Sequence, residues 1–324
     1  MEESKGGRGF FPKLHLFLRH PNWCPIAPMS SPVKLLTVAG SDSGGGAGIQ
    51  ADLKTFSAFL AYGMSVVTAI TAQNTLGVHS VEAVSAAMVQ AQFEAVASDI
   101  EIQAIKTGML FSRDIIHTLV TSFAKLYSIE FHLPIVVDPV CVSTSGHTLL
   151  SLDGIEALRT ELIPWATVIT PNIPEGELLA GVEMGSVQSR EGMRDCARII
   201  GKLGCRWVLL KGGHRPEVRA DGTKWTVDLL WDSLEEADYL YERPFIVSTS
   251  THGTGCTLSA ALAAELGRGK TMQEAVQSAG DYVYTAIATA FPLGKGHGPV
   301  NHLHSLTTRT FSLSVFVVLL YGNS

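Results

Sequence analysis

Two glycine-rich segments are the parts of this sequence best suited to hold an anion or a heterocycle. Residues 40–48 read GSDSGGGAG and join an apolar strand pattern to a helical pattern that starts at Ile49. Residues 251–256 read THGTGC and directly precede the helical pattern TLSAALAAEL. Glycine lets a ligand approach backbone amides closely, and a helix start presents unpaired N–H groups to negative charge. The second segment therefore favours a site that stabilises a transferring phosphoryl group.

The first segment is open to a second interpretation, because a glycine-rich turn is often only a tight turn. It is not a Walker A motif, since GxxxxGK[ST] occurs nowhere in the chain. It also lacks the acidic residue of a dinucleotide fingerprint, which is missing from the next strand pattern, SVVTAITAQN.

Cys256 lies within the first turn of the helix predicted after the second glycine-rich segment. A helix N-terminus lowers the pKa of a nearby thiol, so the position predicts a reactive cysteine. The alternative is an inert buried cysteine, which is common in protein cores.

Three acidic or amide side chains follow predicted strands. Asp138 in VVDPV ends an apolar strand, where only a metal, a cationic side chain or an N-cap can satisfy a buried carboxylate. Asn172 and Glu175 in TPNIPE lie three apart at a helix start, a spacing that suits one Mg²⁺, directly or through water. Glu175 could equally complement the helix dipole.

Lys211 ends the strand pattern WVLLK just before Gly212 and Gly213. An ammonium at this position could reach triphosphate oxygens, although a lone lysine at a strand end is usually solvated.

The elements that must position these residues alternate regularly between strand and helix. Short apolar runs between longer helical patterns predict an α/β fold, with a central, mainly parallel sheet flanked by helices on both faces. Gly222–Phe245 interrupts the alternation and reads as a hairpin. The predicted strands are 33–39, 65–70, 104–106, 135–138, 167–170 and 207–210, and the predicted helices are 49–60, 86–98, 112–127, 155–162, 191–203, 253–266 and 272–291.

Composition limits the class of partner and the domain organisation. The 324 residues include 24 basic and 30 acidic side chains, which argues against a nucleic-acid binder and favours small molecules. Five scattered cysteines predict neither a disulfide framework nor a zinc site. We expect a disordered or targeting extension over 1–32, one catalytic domain over 33–306 and an appended apolar tail over 307–324. The tail is too short for a membrane span, and the compartment is either cytoplasm or plastid.

Taken together, the motifs resemble the hydroxymethylpyrimidine (phosphate) kinases of the ribokinase-like superfamily. The resemblance runs from about Val33 to His304, and VCVSTSGHTLL is similar to the plant form, which continues into a thiamine-phosphate synthase domain that we expect to be absent here. The motifs that carry it are VAGSDSGGGAGIQADLKTF, TAITAQNTLGV, IKTGML, VVDPV, TPNIPE, LLKGGH, THGTGCTLSAALA and GKGHGPVNHLH.

This resemblance implies transfer of the ATP γ-phosphoryl group to 4-amino-5-hydroxymethyl-2-methylpyrimidine and then to its monophosphate, with Mg²⁺. Gln73 would hold the aminopyrimidine edge, for which a carboxamide offers a donor and an acceptor. Cys256 stands where most of the superfamily has an aspartate base. The remaining implied roles are substrate contacts at Asp52, Met109, Gly46 and Ala47, ATP contacts at Lys211, Asn172 and Thr254, magnesium ligands at Asp138 and Glu175, and an anion hole at Gly253 to Gly255.

Three alternatives stay open. A pyridoxal or pyridoxine kinase would use a similar hydroxymethyl heterocycle, and a truncated chain could be a catalytically inactive binding module. His297, His302 and His304 could ligate a metal, although no carboxylate or cysteine accompanies them. By analogy with other ribokinase-like kinases, we expect a homodimer.

Overall fold

The structure is a computed structural model that describes residues 31–127, 133–141, 150–213 and 215–306. The chain divides into two units, Met1–Pro32 and Val33–Ser324, and the helices and strands of the described residues lie in the second. The predicted N-terminal extension and the predicted tail lie almost entirely outside the described residues.

Ten strands of the described residues form one sheet. Its order is β10-β9-β7-β6-β5-β4-β1-β2-β3, with β8 paired to β9. The six strands from β7 to β2 run parallel, whereas β3, β8, β9 and β10 pair antiparallel. The strands are β1 (Lys34–Asp42), β2 (Tyr62–Asn74), β3 (Gly77–Ala83), β4 (Ala104–Thr107), β5 (Ile135–Val137), β6 (Val168–Ile169), β7 (Trp207–Leu210), β8 (Glu217–Val218), β9 (Lys224–Asp232) and β10 (Ala237–Pro244).

Helices connect most of the parallel strands. They are α1 (Gly48–Ala58), α2 (Ala86–Ala97), α3 (Arg113–Tyr127), α4 (Leu152–Ala157), α5 (Ile173–Ala180), α6 (Arg190–Gly201), α7 (Thr254–Gly267) and α8 (Met272–Ala288), and a π-helical turn, Leu158–Leu162, extends α4. The predicted α/β architecture is confirmed, and so is the hairpin, which forms β9 and β10.

Both faces of the sheet are covered, because alternate residues of one strand enter different apolar clusters. On β7, Val208 and Leu210 join the cluster built with α2, α3, α5 and α6. Trp207 and Leu209 join the cluster built with α1, α7 and α8. Side chains of successive strand residues point to opposite faces, so strands buried on both sides read as continuous apolar runs.

The strand β3 was not predicted from the sequence. GVHSVEA lies at the edge of the sheet, where Val78 is buried, Gly77 and Val81 are partly buried and the other residues are exposed. An edge strand with one exposed face carries little apolar signal, so only its hairpin pairing with β2 reveals it.

Among the described residues, no helix is both long enough and apolar enough to cross a bilayer.

Candidate active site

A cavity of about 680 Å³ opens at the carboxyl ends of the parallel strands. Ligands of open parallel sheets bind at this rim, and the volume suits a heterocycle together with a nucleotide. Most of the predicted site residues line it: Ala47, Gln73, Met109, Asp138, Asn172, Glu175, Lys211, Gly253, Thr254, Gly255 and Cys256.

The first glycine turn is built around the carboxylate of Asp42, the last residue of β1. Its oxygens accept hydrogen bonds from the backbone N–H groups of Gly44 (2.8 Å), Gly46 (3.0 Å) and Ala47 (2.8 Å). Burial would raise the pKa of Asp42, but the hydrogen bonds of His252 and these amides hold it below its ordinary value. Gly46 serves the turn in this way and is not among the residues that line the cavity.

The two glycine turns touch each other through their backbones. Gly253 has φ +80°, and a Cβ there would lie 1.8 Å from the carbonyl oxygen of Gly46. Only glycine tolerates both the left-handed conformation and this approach. The contact brings the start of α7 against the start of α1.

His252 joins the two turns through its side chain. Its Nε2 lies 2.9 Å from Oδ2 of Asp42 and 3.3 Å from one end of the Gln73 side-chain amide. Asp42 and His252 lie inside two of the sequence motifs, but the sequence did not predict a role for them. A carboxylate followed by three glycines is a turn signal that could have drawn attention to Asp42.

Met109, two residues after the end of β4, packs against the first turn. A Cβ on Gly40 would lie 2.8 Å from the Met109 methyl carbon, and the Met109 carbonyl accepts a hydrogen bond from Thr68 (2.6 Å). Met109 also lines the cavity that Gln73 lines.

The environment of Cys256 contradicts the expectation of a lowered thiol pKa. Burial raises the pKa of Cys256 to about 11; the charge of Lys106 lowers it, whereas the charges of Asp52 and Asp138 raise it. The Gly48 backbone N–H, which also lowers it, does not reverse the balance. The thiol is therefore protonated at neutral pH.

Asp52, a predicted substrate contact, lies beneath the cavity and does not line it. Its carboxylate accepts hydrogen bonds from Lys106 Nζ (2.8 and 2.9 Å) and from Thr37 (2.6 Å), and the ion pair is fully buried. Lys106 does line the cavity, and sequence reasoning missed it. Burial alone would lower the pKa of Lys106, but the charges of Asp52 and Asp138 raise it, so the ammonium stays charged.

Asp138 is satisfied by a cationic side chain, one of the three possibilities expected. Lys211 Nζ lies 3.1 Å from its Oδ1, and the hydroxyls of Thr170 (3.1 Å) and Ser259 (3.2 Å) also donate to the carboxylate. Burial would raise the pKa of Asp138, but Lys211 and Lys106 hold it below its ordinary value. A Cβ on Gly255 would lie 3.2 Å from Lys211 Nζ, so the ammonium borders the second glycine turn.

Asn172 and Glu175 form a capping box at the start of α5. The Asn172 side chain accepts from the Glu175 N–H (2.9 Å), and the Glu175 carboxylate accepts from the Asn172 N–H (2.9 Å). Burial raises the pKa of Glu175 to about 7; Lys211 lowers it, and the nearby charge of Asp138 raises it again. Two buried carboxylates therefore face the same part of the cavity, held apart from bulk water.

The far end of the cavity is lined by the β9–β10 hairpin and α8. Asp228 accepts a hydrogen bond from the Gly212 N–H (2.9 Å), and burial raises its pKa, although that hydrogen bond, Arg243 and Lys211 oppose the increase. Arg243 also lines this end and donates to Asp281 (3.0 Å). Asp228 and Arg243 were not predicted as site residues, because the hairpin pattern carries no ligand motif.

The three C-terminal histidines do not form a metal centre. No group of three or more histidine, cysteine, aspartate or glutamate side chains with metal-site geometry occurs among the described residues. Burial lowers the pKa of His302 to about 4, while the side chain of His304 lies 3.1 Å from the Tyr282 carbonyl oxygen.

The sequence matches the family model of phosphomethylpyrimidine kinase over residues 42–301. It is 45% identical over 278 residues to the hydroxymethylpyrimidine/phosphomethylpyrimidine kinase of Streptomyces coelicolor, covering 86% of this chain and 97% of that protein. It is 47% identical over 269 residues to the thiamine biosynthesis bifunctional protein ThiED of Geobacter sulfurreducens, covering 83% of this chain. The match covers 52% of ThiED, so the chain spans about half the length of that relative.

Solved structures give the same fold. The ADP complex of Bacillus subtilis pyridoxal kinase matches with a TM-score of 0.75 and 36% identity, covering 86% of this chain and all of that one. The phosphomethylpyrimidine kinase of Clostridium difficile matches with a TM-score of 0.66 and 42% identity, covering 79% of this chain and 99% of that one. The chain therefore belongs to the phosphomethylpyrimidine kinase family, within the ribokinase-like phosphotransferases that its motifs predicted.

Proposed function

We propose that this chain transfers the γ-phosphoryl group of ATP to 4-amino-5-hydroxymethyl-2-methylpyrimidine and then to the monophosphate, giving the diphosphate used in thiamine biosynthesis. Membership of the phosphomethylpyrimidine kinase family supports the reaction class. The observation that carries the proposal is the convergence of both glycine turns on one cavity, which Gln73 and Cys256 both line.

Gln73 would bind the pyrimidine ring. The backbone amides of Gly253 to Cys256 would bind the phosphoryl group during its transfer. A carboxamide can donate to a ring nitrogen and accept from an exocyclic amino group. Amides at the start of α7 stabilise developing negative charge without reorganising. Lys211, beside Gly255, would neutralise phosphate oxygens, and Asn172 and Thr254 border the same region.

In the first phosphorylation, the hydroxymethyl oxygen attacks the γ-phosphorus, and the bond to the β,γ-bridging oxygen breaks, so that ADP leaves with the electron pair. The hydroxyl proton goes to the sulfur of Cys256 when that sulfur is a thiolate. In the second phosphorylation an ionised phosphate oxygen attacks, and no proton needs to be removed.

Asp138 and Glu175 fit a magnesium site of the kind that uses one or two carboxylates and phosphate oxygens. Both carboxylates are buried and line the cavity, and Asp138 carries Lys211 as its present counter-charge. The oxygen donor set suits a hard divalent cation, which would neutralise the nucleotide phosphates when bound.

Pyridoxal is the competing substrate, because a pyridoxal kinase structure is 36% identical with a TM-score of 0.75. Measuring kcat/KM for both compounds with the purified chain, ATP and Mg²⁺ decides between them. We expect a higher kcat/KM for the aminopyrimidine; a preference for pyridoxal, or no turnover of either compound, would overturn the proposal. Gln73→Glu is the matched variant, because it removes the amide donor at nearly constant size and should lower the aminopyrimidine value selectively.

We also propose that the chain forms a homodimer and acts in the cytoplasm or a plastid. Support for pairing is the exposure of apolar Ile70 and Leu76 at the β2–β3 edge of the sheet. Light scattering should give twice the monomer mass, and a monomer would contradict the pairing. Mass spectrometry of the native N-terminus tests the compartment, since cleavage near Ser30 would indicate import.

A further inference from the structure

The side-chain amide of Gln73 lies between two polar groups whose hydrogens can be assigned. One end contacts the Thr71 hydroxyl at 3.2 Å, and the other contacts Nε2 of His252 at 3.3 Å. The backbone of Gln73 is held separately, because its N–H donates to Ser43 Oγ and its carbonyl accepts from the same hydroxyl, both at 2.8 Å. Oxygen and nitrogen of an amide have nearly equal size, so the hydrogen-bond network decides which end is which.

At the His252 end, the ring nitrogen must be a donor. Nε2 of His252 lies 2.9 Å from Oδ2 of Asp42, and that carboxylate is ionised because its amide and histidine hydrogen bonds lower its pKa. A bare ring nitrogen would face a carboxylate lone pair, so Nε2 carries a proton whether the imidazole is neutral or charged. A protonated Nε2 cannot accept a hydrogen bond, so the amide atom beside it is the oxygen of Gln73, which shares the single Nε2 hydrogen with Asp42.

At the Thr71 end, the hydroxyl must be an acceptor. A threonine hydroxyl has one hydrogen, and Thr71 donates it to the carbonyl oxygen of Ser41 at 2.8 Å. A carbonyl can only accept, and this contact is the shorter of the two. The amide atom beside Thr71 must therefore be the nitrogen of Gln73.

Both ends thus require the same orientation, with the oxygen of Gln73 toward His252 and the nitrogen toward Thr71. We propose that Asp42 and His252 are positioning residues that fix the Gln73 amide in this orientation, and so determine which way round the substrate ring enters the cavity. The inference rests on the proposed function, because it takes the ligand of Gln73 to be an aminopyrimidine. Asp42 acts through His252, whose side chain is 13% exposed and lies at the contact between the glycine turns.

The fixed orientation has a direct consequence for the chemistry. In 4-amino-5-hydroxymethyl-2-methylpyrimidine the amino group lies between the ring nitrogen N3 and the carbon that bears the hydroxymethyl group. An amide oxygen on the His252 side receives the amino group there, while the amide nitrogen donates to N3 on the Thr71 side. The hydroxymethyl group then points toward the turn that follows His252, where Gly253 to Cys256 lie. The reverse orientation would turn the reacting oxygen away from that turn.

The test compares the aminopyrimidine with 5-hydroxymethyl-2-methylpyrimidine, which lacks the amino group, by calorimetric titration in the presence of ADP. We expect the wild-type chain to bind the amino compound about 10-fold or more tightly, the scale of one buried hydrogen bond left unmade. His252→Ala should reduce this ratio toward 1 because the amide can rotate. His252→Gln keeps an N–H that can face Asp42 and should retain part of the ratio.

Thr71→Val provides a second variant that leaves the contact between the glycine turns intact, and it should also reduce the ratio. Ser43→Ala is the matched control: it loosens the backbone of Gln73 and should weaken both ligands alike, with the ratio kept. An unchanged ratio in both His252→Ala and Thr71→Val would overturn the inference while leaving the kinase proposal intact. A wild-type chain that binds neither pyrimidine but phosphorylates pyridoxal would instead overturn the proposed function.

Discussion

Three charged side chains influence the thiol of Cys256, the last residue of the second glycine turn. Lys106 favours the thiolate, while Asp52 and Asp138 disfavour it, and burial adds to their effect. The first phosphorylation needs an acceptor for the hydroxyl proton, whereas the second does not. The two successive phosphorylations differ in this respect, which makes them an internal comparison.

Cys256→Ala should impair the first phosphorylation more than the second. The hydroxymethyl group must lose a proton, and positioned bases contribute about 10²–10⁴-fold. The monophosphate is already ionised at neutral pH and needs no base. We expect kcat to fall by about two powers of ten or more for the alcohol and by much less for the monophosphate, measured with each substrate separately. Equal losses with the two substrates would assign Cys256 a steric role.

The pH dependence of the first step follows from the raised pKa of Cys256. Below a pKa of about 11, each unit of pH increases the thiolate fraction tenfold, so kcat/KM for the alcohol should rise from pH 7 to 10. Cys256→Asp supplies a carboxylate that ionises at lower pH and should flatten this profile. A flat wild-type profile would show that the anion hole and magnesium act without a protein base.

At the scale of elements, the site depends on the close contact between the turn that precedes α1 and the turn that precedes α7. The Asp42 carboxylate holds the turn before α1, and Gly253 lets the turn before α7 approach it. Two helix N-termini can bind the same anionic ligand only when their backbone N–H groups face one cavity. In this fold that arrangement requires backbone contact between the two turns.

Gly253→Ala should damage both stability and catalysis. A Cβ at this position combines a φ of +80° with a 1.8 Å approach to the Gly46 oxygen. Gly269→Ala is the matched control, because its φ is +82° and nothing lies within 4 Å of its Cβ. Chemical denaturation should show a loss of about 1 kcal/mol for the control and a larger loss for Gly253→Ala. Only Gly253→Ala should reduce kcat/KM, by about 10-fold or more; matching effects in the two variants would contradict the contact.

Glu175→Gln tests whether α5 contributes a magnesium ligand as well as a cap. The amide oxygen can still accept from the Asn172 N–H, so the free energy of unfolding should change by less than about 1 kcal/mol. Removing the carboxylate should weaken Mg²⁺ binding about 10-fold or more, measured as the Mg²⁺ dependence of ADP affinity. Glu274→Gln makes the same change in the Thr271 capping box of α8 and should leave Mg²⁺ binding unaltered. A Glu175→Gln variant with unchanged Mg²⁺ dependence would make this residue a cap only.

At the scale of the whole molecule, the sequence predicted the sheet and most of the cavity-lining residues at its edge. Parallel strands end at one edge of the sheet, and the residues at the ends of the predicted strands can be identified in the sequence. It did not reveal Asp42, His252 or Lys106 as site residues. Asp42 and His252 meet across 210 positions, and Lys106 meets Asp52 across 54. Pairings of this kind follow from tertiary packing and leave no local pattern, and the same packing reverses the pKa direction expected for Cys256.

We propose that one cavity binds the pyrimidine through Gln73 and the transferring phosphoryl group through the turn at Gly253 to Cys256. The most direct measurement is a crystal structure of the chain with the aminopyrimidine and a non-hydrolysable ATP analogue. We predict the hydroxymethyl oxygen about 3–3.5 Å from the γ-phosphorus, with the amino group on the Gln73 oxygen. A ring bound away from Gln73, or a γ-phosphate bound away from that turn, would contradict the account.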